Sequence, residues 1–304
     1  MARFLVTGVG GPAGSSLARQ LMDRGHWVLG VDMQAVGSGS ADVVAKVSRS
    51  DAPGYLWELR GLTAQHAIDV LVPTVSDELV LVSGAKDDLA PGVRVVVADA
   101  APVRIANDKF HTMACLDNAG VGVPAYGLPG SFESAEHAMD VLGGPLVVKP
   151  RVSRGGRGVQ ILERLAGGGQ HAADAWATLD ETVIVQRFAS GPEYAPVVHL
   201  DGKGERLVVV LEKTELKEGR IGNAVSVRRS EPPADRDVAE LAVAAVEALG
   251  LQGPVDIDIR RMADGTPVVL EVNARFGANS TFAPELVDSV LRAHATELLT
   301  GRTA

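Results

Sequence analysis

The chain has 304 residues, 46% of them apolar, enough to bury a sizeable core and to divide into two or three subdomains. Its formal charge of -9, from 29 basic and 38 acidic residues, argues against a nucleic-acid-binding surface, which is normally basic. The single cysteine, Cys115, excludes an internal disulfide and a cysteine-rich metal site.

The first residues, MARFLVTG, lack the long apolar core of a signal peptide because Gly8 interrupts them. No apolar run approaches the roughly 18 residues of a membrane-spanning helix. We therefore expect a cytoplasmic protein that binds neither a membrane nor a nucleic acid.

Residues 3–32 predict a strand, a glycine-rich turn, a helix and a second strand, at 4–7, 8–14, 15–24 and 27–31. The glycines allow a tight turn, and the helix N-terminus offers its backbone amides to an anion. With Asp32 after the second strand, the pattern resembles short-chain dehydrogenases and sugar epimerases, which bind NAD(P).

The chemistry of those enzymes needs a Tyr-x-x-x-Lys pair, in which the lysine lowers the tyrosine pKa. The chain has three tyrosines, at positions 55, 126 and 194, and the residues four positions later are Leu59, Gly130 and Val198. The pair is absent from the sequence. An NAD(P)-dependent reductase or epimerase is therefore an alternative and not the favoured hypothesis.

Strands and helices continue to alternate through the first hundred residues, with helices predicted at 54–66 and 78–84 and strands at 70–73 and 93–97. This alternation predicts a parallel sheet flanked by helices. The loop 73–78 follows a strand, where ligands of open α/β sheets bind. Asp77 or Glu78 in this loop either contacts an amine substrate or caps the next helix, and we favour the cap.

The middle of the chain places bases beside glycines. Asn107-Asp108-Lys109 begins a predicted helix, and the predicted strand 145–150 contains Lys149 near its end. A glycine-rich loop follows before the strand 159–162; its members are Ser153, Arg154, Gly155, Gly156, Arg157 and Gly158. Its backbone amides suit a triphosphate, the alternative being a surface hairpin without a ligand.

The strand 183–188 leads to Glu193, and strands at 195–200 and 207–213 follow it. Lys213 and Arg220, at and after the end of the last strand, are candidates to hold a substrate carboxylate. Amphipathic helices are predicted at 234–249 and at 285–299.

Residues 253–276 predict a β-hairpin around a two-residue Asp264-Gly265 turn. Residues whose numbers sum to 529 then face each other, so Asp258 lies opposite Glu271 and Asp256 opposite Asn273. These four side chains share one face, because strand side chains alternate. The other face is apolar and carries Val255, Ile257, Ile259, Leu270 and Val272.

Like charges directly across a strand pair are destabilising, so Asp258 opposite Glu271 indicates a cation between them. Oxygen ligands favour Mg²⁺ or Mn²⁺ and, through them, the phosphates of a nucleotide. The alternative is a solvated sheet face that carries scattered acids.

The hairpin resembles the metal-binding hairpin of the ATP-grasp superfamily, in which an acid or Gln on one strand and Glu-x-Asn-x-Arg on the next hold the magnesium ions that bridge ATP phosphates. The chain has the full form from Glu271 to Arg275. The resemblance implies Asp258, Glu271 and Asn273 as metal ligands, with Asp256 as the alternative to Asp258. It covers about residues 103–300 and is closest to the carbamoyl-phosphate-synthetase-like branch.

The resemblance also implies roles for residues earlier in the chain. Lys109 and Lys149 correspond to phosphate-binding lysines, and the loop with Ser153, Gly155, Gly156 and Gly158 covers the triphosphate. Gln186 faces the adenine amino group, where glutamate is more usual. The backbone near Phe188 contacts the adenine edge, and Glu193 holds the ribose hydroxyls. The implied catalytic residues are Lys149, Asn273 and Arg275.

The resulting prediction is an α/β protein in which a Rossmann-like parallel sheet (1–102) precedes a small ATP-grasp lobe (103–190) and a large lobe (191–304). The resemblance implies an ATP-dependent ligase that activates a carboxylate as an acyl phosphate and joins it to an amine, with amino acids among the possible substrates. The N-terminal turn then supports the acceptor site or the domain interface. A nucleotide-binding kinase or regulator without ligation remains an alternative, and a homodimer is possible.

Overall fold

The computed structural model describes residues 1–37, 39–89, 92–153, 155–164, 174–201, 206–231 and 233–300, with only the backbone for 295–300. Arg154, which the sequence analysis places in the glycine-rich loop, lies outside the described residues. Within them, none of the helices has the length and apolar character needed to cross a bilayer.

The first sheet is fully parallel, with strand order β3-β2-β1-β4-β5, which confirms the Rossmann-like prediction. Its strands are β1 (Arg3–Thr7), β2 (Trp27–Asp32), β3 (Val43–Lys46), β4 (Val70–Val72) and β5 (Arg94–Val95). Its helices are α1 (Pro12–Asp23), α2 (Tyr55–Gln65) and α3 (Ser76–Leu89). The sequence analysis missed β3, a partly exposed edge strand whose side chains show no apolar alternation.

Two helices, α4 (Ala100–Asn107) and α5 (Lys109–Asn118), lead from this sheet to the next. Asp108 caps α5, since its carboxylate accepts hydrogen bonds from the backbone N–H groups of Phe110 and His111. The second sheet is antiparallel, in the order β6-β9-β7-β8. Its elements are β6 (Tyr126–Gly127), α6 (Ala135–Leu142), β7 (Leu146–Pro150), β8 (Gln160–Leu162) and β9 (Val183–Arg187).

The third sheet has the order β12-β11-β15-β10-β13-β14, and β16 pairs with β15. Its strands are β10 (Glu193–Tyr194), β11 (Val197–Leu200), β12 (Arg206–Val209), β13 (Leu211–Leu216), β14 (Ala224–Arg229), β15 (Gly253–Arg261) and β16 (Pro267–Asn273). The helices α7 (Arg236–Ala248) and α8 (Glu285–Thr300) accompany it. Each sheet falls within one of the three predicted ranges, while the boundaries themselves stay a prediction.

The apolar face of the hairpin supplies the core of the large lobe. Ile257, Ile259 and Val272 are almost fully buried and belong to one apolar cluster with residues of α5 and α7. A second cluster joins the first sheet and α1 to Phe276 and α8. Burial of this apolar surface stabilises the packing of the N-terminal sheet against the large lobe.

The predicted two-residue turn is wrong. Met262 pairs with Thr266, so the loop has three residues, 263–265, with Gly265 at a φ of 88°. Three-residue hairpin loops place a glycine at this left-handed position. Near the turn the numbers of two facing residues therefore sum to 528 and not to the predicted 529. Ile259 faces Val269 and not Leu270.

A bulge next to Leu270 restores the predicted register further along the hairpin. Asp258 lies opposite Glu271, and Asp256 opposite Asn273, as predicted. Leu270 itself does not join the buried apolar face; it lines a cavity on the acidic side. A β-bulge commonly re-aims side chains beside a functional site, and here it brings the Leu270 carbonyl toward the acids.

Candidate nucleotide and metal site

The acidic face of the hairpin opens into a cavity of about 620 Å³ between the three sheets. Its walls come from the N-terminal glycine turn, the glycine-rich loop, strand β9 with the segment that follows it, and the hairpin. The polar and charged lining residues are Thr74, Ser76, Lys149, Arg157, Gln186, Arg187, Glu193, Lys213, Asn223, Asp256, Asp258, Arg260, Glu271, Asn273, Arg275 and Asn279.

The two carboxylates predicted as metal ligands lie beside ammonium groups. Lys213 Nζ is 2.6 Å from Asp258 Oδ1 and 2.6 Å from Glu193 Oε1. Lys109 Nζ is 3.4 Å from Glu271 Oε1 and donates to the Ser153 carbonyl oxygen at 3.0 Å. Burial acts to lower the pKa of Lys213, but the Asp258 and Glu193 carboxylates outweigh it and raise that pKa. Lys213 is therefore a fixed positive charge in the cavity.

Lys149 extends from β7 across the cavity to the hairpin. Its side chain is buried, and Nζ donates to the Leu270 carbonyl oxygen at 3.0 Å, at the bulge. Burial lowers the pKa of Lys149 to about 8, although the Glu271 carboxylate acts in the opposite direction. No carboxylate among the described residues is in hydrogen-bond contact with this buried ammonium, so Lys149 is well placed to bind an anion.

Arg275 fixes the end of the hairpin toward the N-terminal sheet. Its guanidinium contacts Asp256 Oδ2 at 3.3 Å, Asn273 Oδ1 at 3.0 Å and Ser76 Oγ at 3.4 Å. Asp256 is buried, and burial raises its pKa to about 6 despite Arg275. Each aspartate contacts a cation, Asp256 with Arg275 and Asp258 with Lys213, so these contacts do not separate the two, and Asp258 stays the predicted metal ligand.

The residues predicted to surround the adenine and ribose line the same cavity, and Glu193 shares the Lys213 ammonium with Asp258. Gln186 is buried, and within the described part of the chain its Nε2 has no hydrogen-bond partner. A buried polar group without a partner costs free energy that a ligand can recover. The Arg220 and Arg260 guanidiniums lie 4.5 and 4.9 Å from the centre of the Phe188 ring, and Arg260 is 3.4 Å from Glu193.

The glycine-rich loop borders the same cavity. Gly155 and Gly156 line it, while Gly158 packs against Pro150 and Ser153 contacts Lys109. Gly155, Gly156 and Gly158 have φ values of 64°, 71° and 74°. These left-handed conformations favour glycine and let successive backbone amides turn toward an anion.

The N-terminal glycine turn lines the same cavity through Gly8, Gly11 and Gly14. A Cβ on Gly14 would lie 2.4 Å from the Gly8 carbonyl oxygen, so the close approach of turn and helix requires glycine here. Asp32, the candidate ribose ligand of an NAD(P) site, instead accepts hydrogen bonds from the backbone N–H groups of Gly10 and Gln34, each at 2.9 Å. This geometry supports a structural or acceptor-binding role for the turn.

Glu78 decides between the two hypotheses for its loop. It is almost fully buried, and its carboxylate accepts hydrogen bonds from the Thr7 and Tyr55 hydroxyls and from the Val75 backbone N–H. Burial raises its pKa. Glu78 therefore holds the start of α3 in place and does not face the cavity.

The structure brings most predicted site residues to one cavity, though their individual roles stay predictions. Lys109, Ser153 and Gly158 lie behind its wall and not on it. The role of Lys213 as a contact for a substrate carboxylate stays a prediction; in the structure its ammonium is paired with Glu193 and Asp258. Sequence reasoning missed Arg260, whose position two residues after Asp258 on the same strand face was the available signal.

The donor set fits a hard divalent cation. Two carboxylates and an amide, all oxygen donors, share one face of paired strands, and the cavity already accommodates an ammonium at Asp258. The described residues contain no group of three or more His, Cys, Asp or Glu side chains arranged for a metal. A site with one or two carboxylates is what Mg²⁺ uses when phosphates and water complete its shell.

A family model described as the ATP-grasp domain matches residues 106–279. The chain belongs to this family, as the hairpin predicted. It is 24% identical to the carbamoyl phosphate synthase large chain of Kocuria rhizophila over 316 aligned residues, which cover 96% of this chain and 27% of that protein. It is 31% identical over 196 residues to a probable alpha-L-glutamate ligase of Sodalis glossinidius, covering 62% of this chain and 64% of the ligase.

Solved structures agree on the fold. The N5-carboxyaminoimidazole ribonucleotide synthetase of Thermotoga maritima superposes with a TM-score of 0.68 at 21% identity, covering 96% of this chain and 75% of that one. The L-amino acid ligase of Bacillus licheniformis gives a TM-score of 0.66 at 19% identity, covering 92% and 69%. Of the two relatives found by sequence, the chain spans about a quarter of the carbamoyl phosphate synthase large chain and under two thirds of the glutamate ligase.

Proposed function

We propose that this protein is an ATP-dependent ligase that phosphorylates a carboxylate and joins the resulting acyl group to an amine, releasing ADP and phosphate. The observation that carries the proposal is the convergence of Lys149, Lys213, the glycine-rich loop and the Asp258–Glu271 pair on one cavity. Membership of the ATP-grasp family supports ATP and a divalent metal as the nucleotide and cofactor.

Within the proposed reaction the chain supplies position and charge. Lys149 and the amides of the glycine-rich loop bind the phosphates, and Arg275 presents a planar fork to the transferring phosphoryl group or the acyl phosphate. Asp258, Glu271 and Asn273 would hold Mg²⁺ or Mn²⁺, which neutralises charge that develops on the phosphates. The carboxylate attacks the γ-phosphorus, ADP leaves, and an amine then displaces phosphate from the acyl carbon.

The glycine turn supports a proposed location for the carboxylate and the amine. It lines the cavity on the side of Arg275, whose guanidinium reaches Ser76 at the start of α3. We assign the carboxylate and amine to this side, opposite Gln186 and Phe188. Relatives whose names specify glutamate or D-alanine support amino acids as the substrate class. A homodimer is compatible with the proposal.

The proposal is tested by incubating the protein with MgATP, amines and a panel of ¹⁸O-labelled amino acids and other carboxylates. We expect one carboxylate to stimulate ADP release and to transfer one ¹⁸O atom to inorganic phosphate. Glu271→Gln should abolish this release, while Glu240→Gln, on the exposed face of α7, should preserve it. A stable phosphorylated product without an amide would instead identify a kinase, and ¹⁸O-free phosphate would contradict acyl phosphate formation.

A further inference from the structure

Lys213 lies where a metal bound to Asp258 would need room. It projects from β13, directly opposite Glu193 of β10, and β10 pairs in turn with β15, which carries Asp258. Its Nζ is 2.6 Å from both carboxylates, and its side chain is only 6% exposed. The ammonium is thus enclosed between two acids and is not a solvated surface charge.

A divalent cation at Asp258 competes directly with this ammonium. Mg²⁺ binds a carboxylate oxygen at about 2.0–2.1 Å, closer than a hydrogen-bonded ammonium. Two cations that share one carboxylate oxygen repel each other strongly in a partly buried site. Metal binding through Oδ1 therefore requires Lys213 to move away from that oxygen, and the charge of Lys213 opposes a metal at either oxygen of Asp258.

A nucleotide can supply the partner that Lys213 would lose. The cavity that Lys213 lines also contains Lys149 and the glycine-rich loop, the predicted phosphate contacts. Phosphate oxygens there would accept hydrogen bonds from an ammonium that has left Asp258 and still contacts Glu193. The exchange keeps Lys213 paired at every stage and leaves Asp258 free for the metal.

We propose that Lys213 occupies the metal position at Asp258 in the nucleotide-free protein, so that the divalent metal binds there only when a nucleotide draws the lysine away. This inference rests on the proposed function, because it assumes that the cavity holds a nucleotide polyphosphate and a metal. It makes Lys213 a positioning residue that couples the two ligands. Because such coupling is reciprocal, the metal must increase nucleotide affinity by the same factor.

The test is Mn²⁺ binding measured by electron paramagnetic resonance, with and without ADP. Wild-type protein should bind Mn²⁺ weakly alone and much more tightly with ADP. Lys213→Met should increase affinity for Mn²⁺ alone by roughly tenfold or more, within the usual range of coupling between sites, and should reduce the effect of ADP. Lys213→Arg, which keeps the cation, should behave like the wild type, as should Lys86→Met, which removes a partly exposed lysine paired with Asp99 outside the cavity.

Lys213→Gln, which keeps hydrogen bonding without the charge, provides a second variant if Lys213→Met does not fold. Either variant should gain more in melting temperature from Mn²⁺ alone than the wild type does. Suppose that the wild type binds Mn²⁺ together with ADP. If a folded Lys213→Met or Lys213→Gln protein then binds Mn²⁺ alone no more tightly than the wild type does, the inference is overturned. If the wild type does not bind Mn²⁺ together with ADP, the proposed function itself is refuted.

Discussion

Replacement of Lys149 by methionine should stabilise the protein while weakening nucleotide binding. Burial lowers the pKa of Lys149 from 10.5 to about 8, and at about 1.4 kcal/mol per pKa unit this difference corresponds to about 3 kcal/mol against the charged form. Methionine fills similar volume without the charge. The Leu270 carbonyl oxygen loses its donor, which costs about 1–3 kcal/mol. We expect a net gain of up to about 2 kcal/mol in the free energy of unfolding.

The stability difference between Lys149→Met and the wild type should depend on pH. Below pH 8 Lys149 is charged in both the folded and unfolded states, so the full penalty applies. Between pH 8 and 10.5 the unfolded chain binds more protons than the folded one, and wild-type stability rises with pH. The advantage of Lys149→Met should therefore be largest below pH 8 and should shrink from pH 8 to pH 10.5.

Urea denaturation at several pH values measures this difference, with m-values compared to confirm that the same transition is observed. Lys213→Met is the matched control and should act in the opposite direction. It leaves Glu193 and Asp258 without their ammonium, and breaking such a buried pair costs about 3–5 kcal/mol. A destabilised Lys149→Met protein, or an advantage that grows above pH 8, would refute the reasoning.

Two further substitutions, each with a control, test the packing, and Lys149→Met also tests the cavity. Gly14→Ala should lower the free energy of unfolding by about 1–3 kcal/mol, measured by urea denaturation, because its Cβ meets the Gly8 carbonyl oxygen. Gly61→Ala is the control: its Cβ meets open space on α2, and it should raise the free energy of unfolding by about 0.5–1 kcal/mol. Ile257→Ala should cost about 2–5 kcal/mol since Ile257 is fully buried, and exposed Val225→Ala should change little. Lys149→Met should weaken ADP binding at least tenfold by calorimetry, and unchanged affinity would remove Lys149 from the site.

Local pattern predicted the parallel sheet, the start of the helix near Asp108 and the hairpin, because each depends on neighbouring residues. The acid pairing was confirmed although the turn was wrong. The loop has one residue more than predicted, and the bulge at Leu270 adds a second register change that compensates for it. Neither irregularity has an unambiguous sequence signal, since Asp-Gly suits both two-residue and three-residue loops.

The features that sequence reasoning missed depend on distant contacts. Lys213 meets Asp258 only because β10 lies between β13 and β15 in the sheet, an order that local periodicity does not specify. Glu78 is buried because Thr7 and Tyr55 reach it from β1 and α2. Both are charged residues whose pairing in the fold overrides the usual preference of charged side chains for the surface.

The measurement that tests the central claim most directly is the melting temperature of the wild type with Mg-ADP, Mg²⁺ alone, NADH and NADPH. A ligand at about 100 times its Kd stabilises the native state by roughly 2.7 kcal/mol. We predict an increase of several degrees with Mg-ADP that Glu271→Gln reduces, and none with the nicotinamide cofactors. An increase with NADH or NADPH and none with Mg-ADP would contradict the account and transfer the ligand site to the N-terminal glycine turn.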